Sequence, residues 1–180
     1  MSGKLILIGG GARSGKSAFA LALARAAPGP RALIATAQAF DAEMAERIDK
    51  HRAERGPDFA TIEEPLDLGA ALERTQARAV VIDCLTLWLS NALHAGATDR
   101  DLSERLDALL AIIVTGSRWV ALVTNEVGLG IVPDQPLARR FRDVSGRAHQ
   151  RLAEVADEIY LGVLGTMLRL KPAPVEAVRP

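Results

Sequence analysis

Apolar and polar residues come in blocks along this chain, and the blocks predict strands and helices in turn. Short, almost wholly apolar runs are typical of strands buried on both faces of a parallel sheet, whereas apolar residues three and four positions apart indicate amphipathic helices. The predicted strands are Lys4–Ile8, Ala32–Thr36, Ala60–Glu64, Ala79–Asp83, Trp119–Thr124, Glu158–Val163 and Met167–Leu170. The predicted helices are Ser17–Ala27, one from Asp41 to about Gly56, Leu66–Arg78, Leu85–Ala95, Leu102–Thr115 and Pro136–Ala156. This alternation predicts an α/β fold of three layers, a mainly parallel sheet with helices on both faces.

The end of the chain departs from this alternation. The last two predicted strands are separated only by a short connection at Gly165-Thr166, so we expect a hairpin and one antiparallel edge. Three prolines follow Lys171, and we expect a frayed tail over about 171–180. At 180 residues the chain has the usual size of one domain, residues 1–180.

Composition narrows the class of protein. Hydrophobic residues make up 49% of the chain, which favours a globular protein. Lysine plus arginine and aspartate plus glutamate balance at 22 each, which argues against a general nucleic-acid binder but leaves a local basic patch open. The single cysteine, Cys84, excludes an intramolecular disulfide and a cysteine metal cage and suits a reducing compartment. With no leader pattern and no apolar run of membrane-spanning length, we expect a cytoplasmic protein without membrane insertion.

The clearest candidate chemistry lies directly after the first predicted strand. Residues Gly10 to Ser17 fit the spacing G-x-x-x-x-G-K-[ST] and lead into an alanine- and leucine-rich helix. Glycines allow successive backbone N–H groups to face phosphate oxygens, Lys16 would reach the β/γ-phosphates, and Ser17 would bind Mg²⁺. The alternative is a glycine-rich turn without a ligand. We interpret the segment as the phosphate-binding loop of a P-loop nucleotide-binding fold, and the predicted nucleotide-binding residues here are Gly10, Gly11, Ala12, Arg13, Ser14, Gly15, Lys16 and Ser17.

Other residues are placed to act with this loop. Asp83 ends an apolar strand, where a carboxylate can hold Mg²⁺; the alternative is that it caps the following helix. Asn125 and Glu126 follow another central strand and are candidate substrate contacts. Arg139 and Arg142 could face a phosphate-bearing ligand, or belong to a solvated helix face that pairs with Asp143 and Glu154.

Three histidines are available for catalysis. His51 lies near several basic residues of its predicted helix and could act as a base or as a nucleophile that takes a nucleotidyl group, although an exposed helix histidine is more often part of the surface. His94, at a helix end, and His149, on a helix face, carry no comparable signal.

Several of these segments resemble the bifunctional adenosylcobinamide kinase/adenosylcobinamide-phosphate guanylyltransferase family. The resemblance is carried by Gly9–Ser17, Ile34–Ala37, Glu43–Arg52, Leu122–Pro133 and Ala138–Asp143, and it extends to about Leu164. The phosphate loop occurs in many families, whereas the run Thr-Asn-Glu-Val-Gly-x-Gly-Ile-Val-Pro within Leu122–Pro133 is much more specific.

The resemblance implies two successive reactions. Such enzymes phosphorylate adenosylcobinamide with ATP or GTP and then transfer GMP from GTP to the phosphate, through a GMP–histidine intermediate, giving adenosylcobinamide-GDP and pyrophosphate. By its position in the predicted helix that begins at Asp41, His51 matches the nucleophilic histidine of the family. The positions that correspond to nucleotide contacts are Ala35, Thr36, Ala37, Arg52, Glu63 and Asp83. The resemblance also implies Mg²⁺ and a homotrimer, with adenosylcobinamide and adenosylcobinamide phosphate as partners.

Two departures from the family pattern are visible. Lys50 stands where many relatives have a second histidine, and Asp83 where some have glutamate. We expect both changes to leave the mechanism intact. Two other functions remain open: a P-loop kinase of another hydroxyl substrate without nucleotidyl transfer, and a nucleotide-switched binding module.

Overall fold

The computed structural model describes residues 3–38 and 56–178, and the labels used here number the elements of those ranges. The strands are β1 Lys4–Gly10, β2 Arg31–Ala35, β3 Ala60–Glu63, β4 Ala79–Asp83, β5 Trp119–Val123, β6 Glu158–Val163, β7 Thr166–Lys171 and β8 Glu176–Val178. The helices are α1 Lys16–Ala26, α2 Leu68–Arg74, α3 Leu85–His94, α4 Asp99–Thr115 and α5 Pro136–Val155. The helix expected to begin near Asp41 lies outside the described residues.

All eight strands form one sheet in the order β3-β2-β4-β5-β1-β6-β7-β8. The pairs from β3 to β6 are parallel, and β7 and β8 are added antiparallel. This confirms the predicted α/β fold with a mainly parallel sheet and an antiparallel C-terminal edge. Because parallel strands end at the same edge, the residues that follow β1, β2, β4 and β5 lie side by side there.

Two apolar cores cover the two faces of the sheet, which accounts for the strands' uninterrupted apolar runs. Side chains such as Ile8, Phe19 and Val81 form one core with α1. Others such as Ile82, Leu85 and Leu152 form the second core with α2, α3, α4 and α5. Each such fully buried aliphatic side chain contributes about 1.5–3 kcal/mol relative to an exposed one. The rigid centre of the sheet thereby fixes the loops at its carboxyl edge.

Helix ends differ from the predicted bounds where side chains cap them. Helix α4 begins at Asp99, three residues before the predicted Leu102, because Thr98 and Asp101 form a reciprocal capping box. The backbone N–H and hydroxyl of Thr98 both donate to Asp101, and these bonds lower the pKa of its carboxyl group. Helix α2 is shorter than predicted. The carboxylate of Asp67 caps its start by accepting from the backbone N–H of Ala70, and Thr75, directly after its end, returns to extended backbone.

The expectation of a frayed tail from Lys171 is wrong for part of that segment. Glu176–Val178 pair with β7 as strand β8, and Glu176 forms an ion pair with Arg169. A strand of three residues between prolines carries too little periodicity for detection from the sequence. None of the helices in residues 3–38 and 56–178 is both long enough and apolar enough to cross a membrane.

Candidate active site

Two positions in the loop between β1 and α1 require glycine, because any other residue would be strained there. Gly10 has a φ of +143°, and a Cβ there would lie 2.5 Å from the carbonyl oxygen of Gly162 on β6. Gly15 has a φ of +87° and stands at the N-cap of α1. Left-handed backbone of this kind strongly disfavours side chains. The loop therefore turns tightly from the sheet edge into the amino end of α1, as the sequence motif predicts.

Lys16 is folded back over this loop. It is only 7% exposed, and its Nζ donates hydrogen bonds to the carbonyl oxygen of Gly11 at 2.5 Å and to Oγ of Ser14 at 3.3 Å. No acidic residue stands in the first turn of α1. A buried ammonium group beside the positive end of a helix favours a bound anion. The arrangement suits the β/γ-phosphates of a nucleotide.

Ser17 and Asp83 are the residues predicted to hold Mg²⁺. Both are half-buried, on α1 and at the end of β4 respectively. Within residues 3–38 and 56–178, no three carboxylate, histidine or cysteine side chains form a metal cluster. Mg²⁺ at nucleotide sites characteristically takes one or two protein oxygens and completes its shell with phosphate and water. A hydroxyl and a carboxylate are therefore a suitable donor set for a nucleotide-bound Mg²⁺.

The ends of β2 and β4 are tied together through Thr36. Its hydroxyl donates to the carbonyl oxygen of Cys84 at 2.8 Å and accepts from the backbone N–H of Cys84 at 2.7 Å. Asn91 on α3 donates to the carbonyl oxygen of Thr36 at 2.8 Å. Thr36 is completely buried, so its described contacts are with the protein, and it holds Asp83 in place from the neighbouring strand.

The other expected nucleotide contacts lie on the same edge. Ala35 stands opposite Asp83 on β4 and opposite Glu63 on β3. Ala37 is half-buried and Glu63 is exposed. Cys84 is buried, and burial followed by the charge of Asp83 raises the pKa of its thiol. Cys84 is thus an unreactive thiol beside the site. His51 and Arg52 lie outside the described residues.

Asn125 and Glu126 stand directly beside the phosphate loop. The backbone N–H of Glu126 donates to the carbonyl oxygen of Gly10 at 3.0 Å, and the amide of Asn125 donates to the hydroxyl of Thr86 at 3.2 Å. The carboxylate of Glu126 accepts from the N–H of Gly128 at 2.7 Å. The strand order explains this placement, since β5 lies between the loop strand β1 and β4 with Asp83.

The arginines of α5 are occupied by the protein itself. Arg139 donates to the carbonyl oxygens of Pro133 and Asp134, and Arg142 pairs with Asp143. The remaining ion pairs join Arg140 and Arg147 to Asp99, and Arg151 to Asp107 and Glu154. The contacts of Arg142 and Arg151 match the solvated helix face that the sequence left open as the alternative to phosphate binding.

His149 is the residue near the site that sequence reasoning missed. Its Nε2 lies 2.8 Å from the hydroxyl of Thr124, and its Nδ1 lies 3.8 Å from Oε2 of Glu126. Burial lowers the pKa of this imidazole, while the charge of Glu126 acts in the opposite direction. The only signal in the sequence was a histidine on a helix face, which does not reveal that the face meets the end of β5.

Solved structures with similar folds support the architecture. The RadB recombinase aligns with a TM-score of 0.55 at 18% identity, covering 99% of this chain and 82% of that one. A KaiC-like protein of Pyrococcus horikoshii aligns with a TM-score of 0.51 at 16% identity, covering 98% and 76%. At such identities the similarity shows the fold alone, that of P-loop nucleotide-binding proteins.

Sequence comparisons identify the family. The family model described as cobinamide kinase / cobinamide phosphate guanyltransferase matches residues 6–170. The bifunctional adenosylcobalamin biosynthesis protein CobP of Pseudomonas aeruginosa is 44% identical over 171 residues, covering 94% of this chain and 98% of that protein. The corresponding protein CobU of Salmonella typhimurium is 40% identical over 181 residues, covering 93% and 99%. The chain belongs to the cobinamide kinase / cobinamide phosphate guanyltransferase family.

Proposed function

We propose that this chain is the bifunctional enzyme that phosphorylates adenosylcobinamide with ATP or GTP and then transfers GMP from GTP to the product. The final products are adenosylcobinamide-GDP and pyrophosphate. The observation that carries the proposal is the loop of Gly10–Ser17 with Lys16 folded over it, placed on one sheet edge with Asp83 and Glu126 in a member of this family.

In the kinase step, the acceptor hydroxyl oxygen forms a bond to the γ-phosphorus and releases its proton, while the bond from this phosphorus to the β,γ-bridging oxygen breaks and the nucleoside diphosphate leaves. The loop N–H groups and the ammonium group of Lys16 stabilise the negative charge on the phosphates. Asn125 and Glu126, beside Gly10, are placed to meet the acceptor. Ser17 and Asp83 would hold Mg²⁺, which would supply further charge neutralisation.

In the transferase step, neutral His51 attacks the α-phosphorus of GTP, an N–P bond forms and pyrophosphate leaves. An oxygen of the phosphorylated acceptor then attacks the same phosphorus and the N–P bond breaks. The loop around Lys16 would hold the departing β/γ-phosphates, and Ala35, Ala37, Arg52 and Glu63 are the proposed additional nucleotide contacts. The same family resemblance supports a homotrimer and a cytoplasmic setting.

Labelling with GTP that carries ³²P at the α-phosphorus tests the transferase step. We expect an acid-labile covalent label on the wild-type protein, no label on His51→Ala, and normal labelling of the matched control His94→Ala, whose ring is exposed on α3. Addition of adenosylcobinamide phosphate should discharge the label. Phosphorylation of adenosylcobinamide without a covalent label would instead indicate a kinase alone, and nucleotide binding without any turnover would indicate a switched binding module.

A further inference from the structure

His149 connects helix α5 to the strand end beside the phosphate loop. Its ring lies between the hydroxyl of Thr124, 2.8 Å from Nε2, and the carboxylate of Glu126, 3.8 Å from Nδ1. The carboxylate favours a proton on Nδ1, which leaves Nε2 as the acceptor of the Thr124 hydroxyl proton. Hydroxyl, imidazole and carboxylate therefore form one polar cluster, in which His149 lies 23 residues after Glu126 and 25 residues after Thr124 in the sequence.

This polar cluster lies next to apolar core residues of α5. Val144, Ala148 and Leu152 on the same helix are buried in the apolar core, and the side chain of His149 is only 18% exposed. Burying an imidazole among apolar groups is unfavourable unless it has polar partners. Thr124 is only 2% exposed, so its hydroxyl also needs a polar partner. The hydroxyl of Thr124 and the imidazole of His149 therefore fix each other's orientation.

The backbone of the same strand end is bonded to the phosphate loop. The N–H of Thr124 donates to the carbonyl oxygen of Ile8 at 2.9 Å, and the N–H of Glu126 donates to that of Gly10 at 3.0 Å. The methyl group of Thr124 lies beside Gly9 of β1. A shift of Thr124 or Glu126 is therefore a shift relative to the phosphates bound by Gly10–Ser17.

We propose that His149 is a positioning residue for phosphoryl transfer, which holds Thr124 and thereby keeps Glu126 beside Gly10, where the acceptor meets the nucleotide. This inference rests on the proposed function. In this role His149 acts through Thr124 rather than through a contact of its own with the substrates. Glu126 is suited to contact the acceptor, because 32% of its side chain is exposed while its backbone N–H is bonded to Gly10.

Steady-state kinetics of adenosylcobinamide phosphorylation test the role. His149→Leu removes both polar contacts at similar size, and we expect kcat to fall about 10- to 100-fold, the usual effect of small misplacements at a reacting centre. The KM for the nucleotide should stay within about twofold, because the loop contacts of Gly10–Ser17 do not involve the imidazole. His149→Gln keeps a polar atom in reach of Thr124 and should recover most of kcat. His94→Leu, at an exposed histidine, is the matched control and should retain wild-type kcat.

A double-mutant cycle separates positioning of Glu126 from general stability. Glu126→Gln should lower kcat to a similar extent, and the double variant with His149→Leu should fall no further, because both changes remove one function. Additive losses, or a kcat that follows only the folded fraction in thermal melts, would overturn the inference. An unchanged kcat in His149→Leu would do the same.

The contact itself is measurable without turnover. In ¹⁵N NMR spectra, Thr124→Val should shift the Nε2 resonance of His149, and an unchanged resonance would contradict the hydrogen bond on which the inference depends. A wild-type protein that transfers no phosphoryl group to adenosylcobinamide would contradict the proposed function and this role with it. Wild-type turnover with an unaffected His149→Leu variant would contradict this inference alone.

Discussion

Thr36 and Cys84 are joined by two hydrogen bonds through one hydroxyl group, which both donates to and accepts from the backbone of Cys84. A third bond runs from the N–H of Thr36 to the carbonyl oxygen of Asp83 at 3.0 Å. The end of β2 is therefore fixed against the end of β4 at the residue proposed to hold Mg²⁺. Thr36 is fully buried and Cys84 is only 5% exposed, so the protein itself supplies the hydrogen bonds of this hydroxyl.

Replacement of Thr36 by valine should destabilise the protein and displace Asp83. The change keeps the side-chain shape but leaves the buried N–H of Cys84 without its partner, at about 1–3 kcal/mol. The carbonyl oxygen of Cys84 still accepts from the backbone N–H of Trp88 at 3.2 Å. We expect the free energy of unfolding in urea to fall by about 1 to 3 kcal/mol. Thr36→Ser retains the hydroxyl and is the matched control, which should lose much less. Equal losses in the two variants would show that the methyl group, rather than the hydroxyl, stabilises this position.

The architecture was predictable because it follows from residue patterns that act locally. The strand Ala79–Asp83 is apolar and buried up to Ile82 and ends in the half-buried Asp83, and its predicted bounds agree with the structure. Strand β8 was not predictable, because Glu176–Val178 is too short for a periodic pattern and is ordered by pairing with β7. The sequence therefore predicts elements whose own residues are buried in a regular pattern. It does not predict an element that forms only by pairing with a neighbouring strand.

The candidate site was likewise predictable only in part. The glycine-rich loop can be recognised from the sequence because its turns demand particular residues at consecutive positions, as Gly10 and Gly15 show. His149 could not be recognised, because its partners Thr124 and Glu126 lie on another element and meet it only in the folded chain. The arginines of α5 posed the same difficulty. Their partner Asp99 lies 41 and 48 residues away from Arg140 and Arg147.

Substitution of Gly10 by alanine should disrupt the phosphate loop. The new Cβ would lie 2.5 Å from the carbonyl oxygen of Gly162, and the φ of +143° is one that alanine rarely adopts. Backbone strain and the clash together should lower stability by at least about 2 kcal/mol, and we expect nucleotide binding measured by calorimetry to be lost.

Gly146→Ala is the matched control for this change. Gly146 lies within α5, and a Cβ there meets nothing within 4 Å. Alanine should stabilise the exposed helix by about 0.5–1 kcal/mol relative to glycine. Nucleotide affinity should be unchanged, and a Gly10→Ala variant that binds nucleotide as well as Gly146→Ala would refute the close approach of β1 and β6 at the loop.

The stability of the protein should fall as the pH drops below the ordinary range of histidine, and His149 should account for part of the fall. Burial lowers the pKa of this imidazole in the folded state, against the opposing field of Glu126. In the unfolded chain the group takes up a proton near pH 6.5, its ordinary value. Between that pH and the lower pKa of the folded state the unfolded chain binds more protons, so acidification favours unfolding. Urea unfolding at about pH 7.5 and pH 5.5, above most of the carboxyl range, should show a smaller difference in His149→Gln than in the wild type. If the two proteins lose the same free energy over this interval, the imidazole is not held neutral by burial as the structure indicates.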